Sequence, residues 1–230
     1  TRSIWVTGVQ TCALPIMIYS HHHKDHTGAT GQIFASDIAY IAHRKTAGVL
    51  IQENDTNRPI PTITFDDKYM LTVGSQTLEL SHIGDYHSSG DLVIYAPKQK
   101  VAMAVDLMRP GITPYRAFAG TPDIDQYIRI HDTLIDDFDF DVLVSGHTQI
   151  LATKEHIKTN KQFTLDVMEN ARQVLEEPDP VQACVEITTD RWEGRLGNLG
   201  EFMVEHCTAM IDYVSIWRSE ERRVGKECRS

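Results

Sequence analysis

No apolar run in the chain approaches the roughly 20 residues that a membrane helix needs, so no span of that kind is expected. Basic residues are scarce: 22 Lys plus Arg stand against 32 Asp plus Glu, a net charge of −10. A protein that binds nucleic acid by neutralising phosphates needs clustered Lys and Arg, so the expected partner is a small-molecule substrate and not nucleic acid. Four cysteines without a CxxC spacing give neither a zinc ribbon nor a disulfide framework. Internal repeats and low-complexity tracts are also missing. What remains is the composition of a folded globular domain, 41% hydrophobic and 23% charged. Histidine is in excess: there are 11, and four fall within the six positions His21 to His26.

The two ends stand apart from the rest. Val6 to Ile16 reads VTGVQTCALPI and Arg218 to Ser230 reads RSEERRVGKECRS. Both resemble frame translations of sequencing adapters, so residues 1–16 and 218–230 are expected to be non-native and 17–217 to form the domain. Setting those segments aside removes six basic and three acidic residues and takes the net charge to −13. The two cysteines that remain are Cys184 and Cys207.

Along 17–217 the pattern alternates between strands and helices, which indicates one α/β domain. Met17 to Tyr19 reads as the end of an apolar strand. Ile38 to Ile41 reads as a strand and His43 to Gln52 as a helix. Residues 69–73 and 76–81 alternate around Gly74-Ser75 as a hairpin, and 91–95 and 101–105 form a second one. Met108 to Pro122, with three Pro and two Gly, is expected to be an irregular loop. A helix opens at Pro122-Asp123 with Asp as N-cap and runs to about Phe138. Asp141 to Ser145 is a short strand. Lys154 to Glu176 and Glu201 to Trp217 are helical, with a break at Glu177-Pro178-Asp179-Pro180.

The segment Tyr19-Ser20-His21-His22-His23-Lys24-Asp25-His26 contains His-x-His-x-Asp-His. In an extended segment, positions two apart face the same way, so His21 and His23 can reach one cation. Asp25 and His26 follow where the chain turns, and can face a second cation beside it. Imidazole and carboxylate suit Zn²⁺ or Fe. Three later residues each sit at a predicted strand end, where loops converge: His87 before one strand, Asp106 after Val101 to Val105, and His147 after Asp141 to Ser145.

With HHHKDH at His21 to His26, GDYHSSGD around His87, AVD at Ala104 to Asp106 and SGH at Ser145 to His147, the chain resembles the metallo-β-lactamase-fold hydrolase superfamily over roughly Met17 to Glu176. The resemblance implies a four-layer αββα sandwich with a dinuclear, glyoxalase-II-like site along one edge of the sheets. It assigns His21, His23 and His87 to the first metal and Asp25, His26 and His147 to the second, with Asp106 bridging. Two Zn²⁺ are the implied cofactors, with Fe or Mn as alternatives. No Cys lies between Cys12 and Cys184, so the commonest true β-lactamases, which place a Cys at the second metal, do not match. Flavin-linked diiron enzymes carry Glu where His23 stands. Environmental hydrolases with a VDM-x-x-PG-type segment, here Val105 to Gly111, match best. The family's several strands before the first His motif are expected to be missing, leaving the first sheet incomplete.

The resulting expectation is a metal-dependent hydrolase that directs a metal-bridging hydroxide at an ester, thioester, lactone or amide, with Asp25 orienting it and the 108–122 loop forming a pocket wall. A mononuclear iron persulfide dioxygenase of the same fold is the alternative; a nuclease or β-lactamase ranks lower. His22 should point away from the metals. His43, His82, His131, His156 and His206 lack ligand spacing and read as structural or solvent-facing. Lys24, Tyr86, Tyr115 and Arg116 lie near enough in sequence to touch substrate, with packing equally expected. Ser88 and Ser89 read as turn residues, and Trp192, Phe202, Tyr213 and Trp217 as core or cover for C-terminal helices.

Overall fold

A computed structural model describes residues 16–28, 30–33 and 38–227, with the backbone alone at 32, 33 and 220–227. The expectation for residues 1–15 lies outside the described residues. Eight strands and eight helices are described: β1 (Ile16–Ile18), α1 (Lys24–Thr27), α2 (Thr30–Ile33), β2 (Ala39–His43), α3 (Arg44–Glu53), β3 (Ile63–Phe65), β4 (Lys68–Val73), β5 (Gln76–Ser81), β6 (Val93–Ala96), β7 (Val101–Ala104), α4 (Arg116–Gly120), α5 (Ile124–Asp137), β8 (Val142–Val144), α6 (Lys154–Gln173), α7 (Pro180–Trp192) and α8 (Leu199–Glu227). The strands form two sheets, a three-stranded β1-β2-β3 and a five-stranded β4-β5-β6-β7-β8.

Period-two alternation along the strands sorts side chains into three apolar layers. In β2, Ile41 faces the second sheet and joins Phe65, Leu80 and Leu92 between the sheets. Its neighbours Tyr40 and Ala42 face the other way and pack with Tyr19, Ile38 and Leu50, the last from α3. In β6, Ile94 points between the sheets, while Val93 and Tyr95 point outward with Ala102 and Ala104 of β7 under the later helices. Helix, sheet, sheet and helix therefore stack in that order, the αββα sandwich.

Local chemistry explains most boundaries. The β4–β5 register pairs Val73 with Gln76, leaving a two-residue turn. Gly74 there takes a positive φ of 59°, which the first position of a type II′ hairpin requires. Asp123 caps α5 by accepting the Gln126 N–H at 2.9 Å. Helix α7 is an addition to the sequence reading, which found only a break there. Asp179 accepts the Gln182 N–H at 3.1 Å and Pro180 takes the first helical turn. A Pro with no N–H to lose is suited to that position, so the two prolines that stop α6 also start α7. Strand β3 was likewise missed, a three-residue run too short for a periodic signal. Helix α8 continues to Glu227, through most of the adapter-like 218–230 segment.

One expectation is corrected outright. Cys184 of α7 and Cys207 of α8 form a disulfide, although their spacing suggested none. Both are fully buried; the pairing is set by helix packing, which sequence spacing does not encode.

Candidate metal centre

The strand directions gather the site on one edge. Strands β7 and β8 are parallel, and β6 is antiparallel to β7. The segment before β6 and the segments after β7 and β8 therefore open on the same edge. They carry His87, Asp106 and His147, respectively. The loop after β1 and helix α1 bring His21, His23, Asp25 and His26 to the same place. Leu92 N–H donates to the Ser20 carbonyl at 2.9 Å, which ties that loop to the second sheet.

The seven side chains converge as two groups that share Asp106. One is His21, His23, His87 and Asp106; the other is Asp25, His26, Asp106 and His147. Within each group one potential ligand atom per residue lies within 4.8 Å of the others. In the first, His87 Nε2 is 2.8 Å from His23 Nδ1 and 3.4 Å from Asp106 Oδ2. His21 Nε2 is 3.7 Å from the same oxygen. In the second, His26 Nε2 is 2.9 Å from Asp106 Oδ2 and 3.1 Å from His147 Nε2. His147 Nε2 lies 3.0 Å from Asp25 Oδ2 and 3.4 Å from Asp106 Oδ1. Asp106 Oδ2 thus lies between the two groups, facing His21, His87 and His26, while Oδ1 faces His147.

The donor chemistry fits a cation. His21 Nε2 and Asp106 Oδ1 are buried without a hydrogen-bond partner, a cost that a bound cation removes. Burial, with His87, His26 and His23 around it, lowers the His21 pKa to about 2. Burial and His87 lower His23 to about 4. Both rings are therefore neutral at pH 7, the form that offers a lone pair. Burial tends to raise Asp106, but the His26 hydrogen bond and the surrounding imidazoles bring it below the usual carboxylate range.

Backbone geometry holds these groups in place at some cost. Asp106 and His147 have positive φ of 65° and 46°, and Asp106 N–H donates to the Ser145 carbonyl at 2.7 Å. Each left-handed non-Gly residue costs about 1–2 kcal/mol, and such strain concentrates at functional sites. Asp91, fully buried, organises the His87 loop. Its Oδ2 accepts the N–H groups of Tyr86, His87 and Ser88, and its Oδ1 accepts the Ser88 hydroxyl at 2.6 Å. Ser88 is thus a turn residue, as read.

The expected irregular 108–122 loop contains an unusual turn. Ala117, Phe118 and Ala119 have φ of 47°, 56° and 62°, three consecutive left-handed residues closed by Gly120. The Ala119 carbonyl accepts the His87 Nδ1–H at 2.5 Å. This fixes the tautomer in which Nε2 is free to face Asp106, a common arrangement for ligating histidines.

A cavity of about 500 Å³ opens over the cluster, lined by His23, Asp25, His87, Asp106 and His147, with Met108, Arg109, Tyr115, Ser145, Gly146 and Glu201 completing the wall. Met108, Arg109 and Tyr115 come from the expected wall loop. Glu201, from α8, was not foreseen; it pairs with Arg109 at 3.3 Å, while the Arg109 guanidinium also stacks over Phe202 at 5.2 Å. Of the other flanking residues, Tyr86 is buried with its hydroxyl donating to the Leu92 carbonyl, which removes it from the substrate side. His22 belongs to neither donor group, as expected. His43, His131 and His206 are buried and belong to neither donor group; Trp192 is core, whereas Trp217 is exposed.

Comparison with known proteins bears on the family and the fold. The sequence profile described as the metallo-beta-lactamase superfamily matches residues 8–147, a span that begins inside the adapter-like 1–16 segment. A curated relative, the 2,4-dinitroanisole O-demethylase subunit alpha of Nocardioides sp., is 29% identical over 142 residues, 60% of this chain and 42% of that protein. The chain therefore spans less than half of that relative. Among solved structures, a metallo-beta-lactamase family protein from Thermus thermophilus covers 90% of this chain and 75% of its own at 18% identity and a TM-score of 0.61. A metallo-beta-lactamase from Pontibacter korlensis covers 64% and 69% at 18% identity and 0.57. A stereoselective inverting sec-alkylsulfatase from Pseudomonas sp. covers 87% and 41% at 15% identity and 0.61. At these identities the likeness is one of fold.

Proposed function

The chain belongs to the metallo-beta-lactamase superfamily, and from that premise we propose that it is a metal-dependent hydrolase of a small-molecule substrate. The observation that carries this reading is the pair of four-donor groups sharing Asp106 at the floor of the cavity. His21, His23 and His87 would hold one cation and Asp25, His26 and His147 a second, with Asp106 serving both. Two Zn²⁺ suit a set of imidazoles and carboxylates, and Fe or Mn are compatible with it. Such a pair supplies Lewis acidity and lowers the pKa of water from 15.7 toward about 7.

The chain's own residues do the rest. The His87 tautomer is set by Ala119, and Asp106 is aimed by its left-handed backbone. Asp25 is half exposed and lines the cavity, so its carboxylate can accept a hydrogen bond from the attacking water and orient it. Met108, Arg109 and Tyr115 shape the wall against which the substrate lies.

The substrate class is an ester, thioester, lactone or amide. The name of the curated relative and the sec-alkylsulfatase neighbour add an aryl methyl ether and an alkyl sulfate to the set worth assaying. The deciding experiment is metal analysis of the purified chain with turnover of that panel. About two zinc per chain and hydrolysis that is lost with bound metal in Asp106→Ala and His87→Ala are expected. One iron with oxygen consumption would overturn this in favour of a persulfide dioxygenase, and full activity in a metal-depleted double variant would overturn it altogether.

A further inference from the structure

We propose that His206, on α8, is a positioning residue for the first donor group: it holds the left-handed turn Ala117–Gly120 so that the Ala119 carbonyl keeps the His87 ring turned with Nε2 toward His23 and Asp106. The proposal rests on the reading of that group as a metal site, and extends it to a helix that contributes no donor.

The contacts form one continuous line. His87 Nδ1–H donates to the Ala119 carbonyl at 2.5 Å. The residue before it, Phe118, donates its N–H to His206 Nδ1 at 3.1 Å. The opposite ring nitrogen, His206 Nε2, carries the proton and donates to the Pro114 carbonyl at 3.2 Å. A neutral imidazole of one tautomer thus bridges the start of the turn to its middle. Burial lowers the His206 pKa to about 4, which keeps the acceptor nitrogen available at neutral pH.

The turn has few other supports. Three successive L-residues with positive φ are not self-stabilising, because each Cβ crowds its own backbone. Within the turn, Ala119 N–H donates to the Tyr115 carbonyl and Thr121 N–H to the Phe118 carbonyl. The Phe118 N–H is buried, and His206 is its acceptor. Without that acceptor the N–H is orphaned and the turn loses its reason to stay left-handed.

His206 is itself held firmly. Its ring is fully buried, 4.6 Å from the Phe118 ring and 5.6 Å from Phe163. The next residue, Cys207, is bonded to Cys184 of α7. A space-filler between Phe118 and Phe163 would need an aromatic or apolar side chain. The position instead carries a group whose two nitrogens meet one donor and one acceptor of the loop that aims His87.

The test uses the full chain with three substitutions. His206→Phe keeps volume and removes both hydrogen bonds. His206→Asn keeps an acceptor for the Phe118 N–H. Met210→Ala damages the same buried helix face with no bond to the turn. Affinity for Zn²⁺ or Co²⁺ is measured by competition with a chelator, the His87 Nδ1–H is followed by imidazole proton NMR, and the thermal midpoint is recorded. His206→Phe is expected to weaken metal binding about tenfold or more, the lower end for loss of an outer partner of a ligating histidine, and to expose the His87 proton to rapid exchange. His206→Asn is expected to recover most of both. Met210→Ala should lower the midpoint alone.

If His206→Phe lowers the midpoint while affinity and the His87 proton stay as in the parent, or if all three variants lose affinity alike, the proposal is overturned. Should His206→Phe fail to fold, His206→Gln, which keeps the donor to Pro114 and loses the Phe118 acceptor, carries the same expectation. A parent chain that takes up no metal would sink the metal reading, and the His87 proton would then decide the positioning role by itself.

Discussion

Arg58 donates from Nη1 to the carbonyl oxygen of His22 at 2.9 Å. The guanidinium is almost fully buried and is also paired with Glu53 and with Asp55, whose Oδ2 lies 3.1 Å from Nε. The His22 carbonyl sits in the middle of the His-rich segment, so a charge on the far side of the loop anchors the residues that present His21 and His23.

Replacing Arg58 by Met keeps much of its volume and removes every hydrogen bond. Glu53 and Asp55 are partly exposed and can turn to water, so the main loss is the donor to the His22 carbonyl, which then keeps only the Thr27 hydroxyl at 3.4 Å, and with it the loop that this bond holds. Leaving a buried partner unsatisfied costs about 1–3 kcal/mol. The expected outcome is a loss of about 2 kcal/mol in urea unfolding together with weaker metal uptake. Arg58→Lys should recover little, because a single ammonium cannot serve three partners in a planar fork. Full metal affinity in Arg58→Met would show that the loop holds its shape without the anchor.

A second prediction concerns pH. His131 is fully buried, donates from Nδ1 to the Tyr127 carbonyl at 2.7 Å and accepts from Asn160 Nδ2 at 2.7 Å. Burial lowers its pKa to about 4, as it does for His206. In the unfolded chain both titrate near 6.5. Above that pH neither state is protonated and they leave stability unchanged. Between about 6.5 and 4 the unfolded chain binds protons that the native chain refuses, so stability falls as pH falls, by up to about 1.4 kcal/mol per pH unit for each ring. Urea midpoints from pH 7.5 to 4.5 should show this slope, and His131→Gln should flatten it by about one proton. Equal slopes in parent and variant would refute the assignment.

How far the sequence reads to this structure depends on the range of each interaction. His21, His23, Asp25 and His26 are legible because six residues of one segment carry the pattern, and the other three because each lies in a loop beside a strand, His87 before β6, Asp106 after β7 and His147 after β8. The hairpin at Gly74 and the cap at Asp123 are equally local. Arg58, the Cys184–Cys207 bond and the contact of His206 with Phe118 are not legible. Arg58 reaches the His22 carbonyl across 36 positions, the two cysteines lie 23 apart, and His206 and Phe118 lie 88 apart. Nothing in the residue types announces those pairings. The left-handed turn at Ala117 is hidden for a further reason: alanine and phenylalanine favour other conformations, so tertiary contacts override local preference there.

The disulfide gives a third prediction. It closes a loop of 23 residues between α7 and α8, and constraint of the unfolded chain over that length is worth about 3 kcal/mol on the chain-entropy account. Reduction under native conditions should be slow, since both sulfurs are fully buried. Cys184→Ser with Cys207→Ser should lower stability by roughly that amount. Unchanged stability in the double variant, with free thiols counted in the parent, would remove the bond from the account of the C-terminal helices.

Gly146 offers the most direct probe of the shared carboxylate. It has a φ of 76°, and a Cβ built there would lie 2.8 Å from Asp106 Oδ1 and 3.0 Å from Val105 Cγ1. Gly146→Ala therefore combines a left-handed alanine, costing about 1–2 kcal/mol, with a methyl group pressed on the oxygen that faces His147. The carboxylate must swing or the 145–147 loop must lift, and either separates Asp106 from His147. Binding of the second of two Zn²⁺ ions should weaken by about tenfold or more in a chelator titration, while the first is affected less because His21 and His87 meet the other oxygen, Oδ2, which the added methyl does not touch. Hydrolysis should fall with occupancy of the second site. If Gly146→Ala binds both ions as the parent does, the carboxylate is not shared in the way its two oxygens suggest, and the two donor groups would have to be treated as independent.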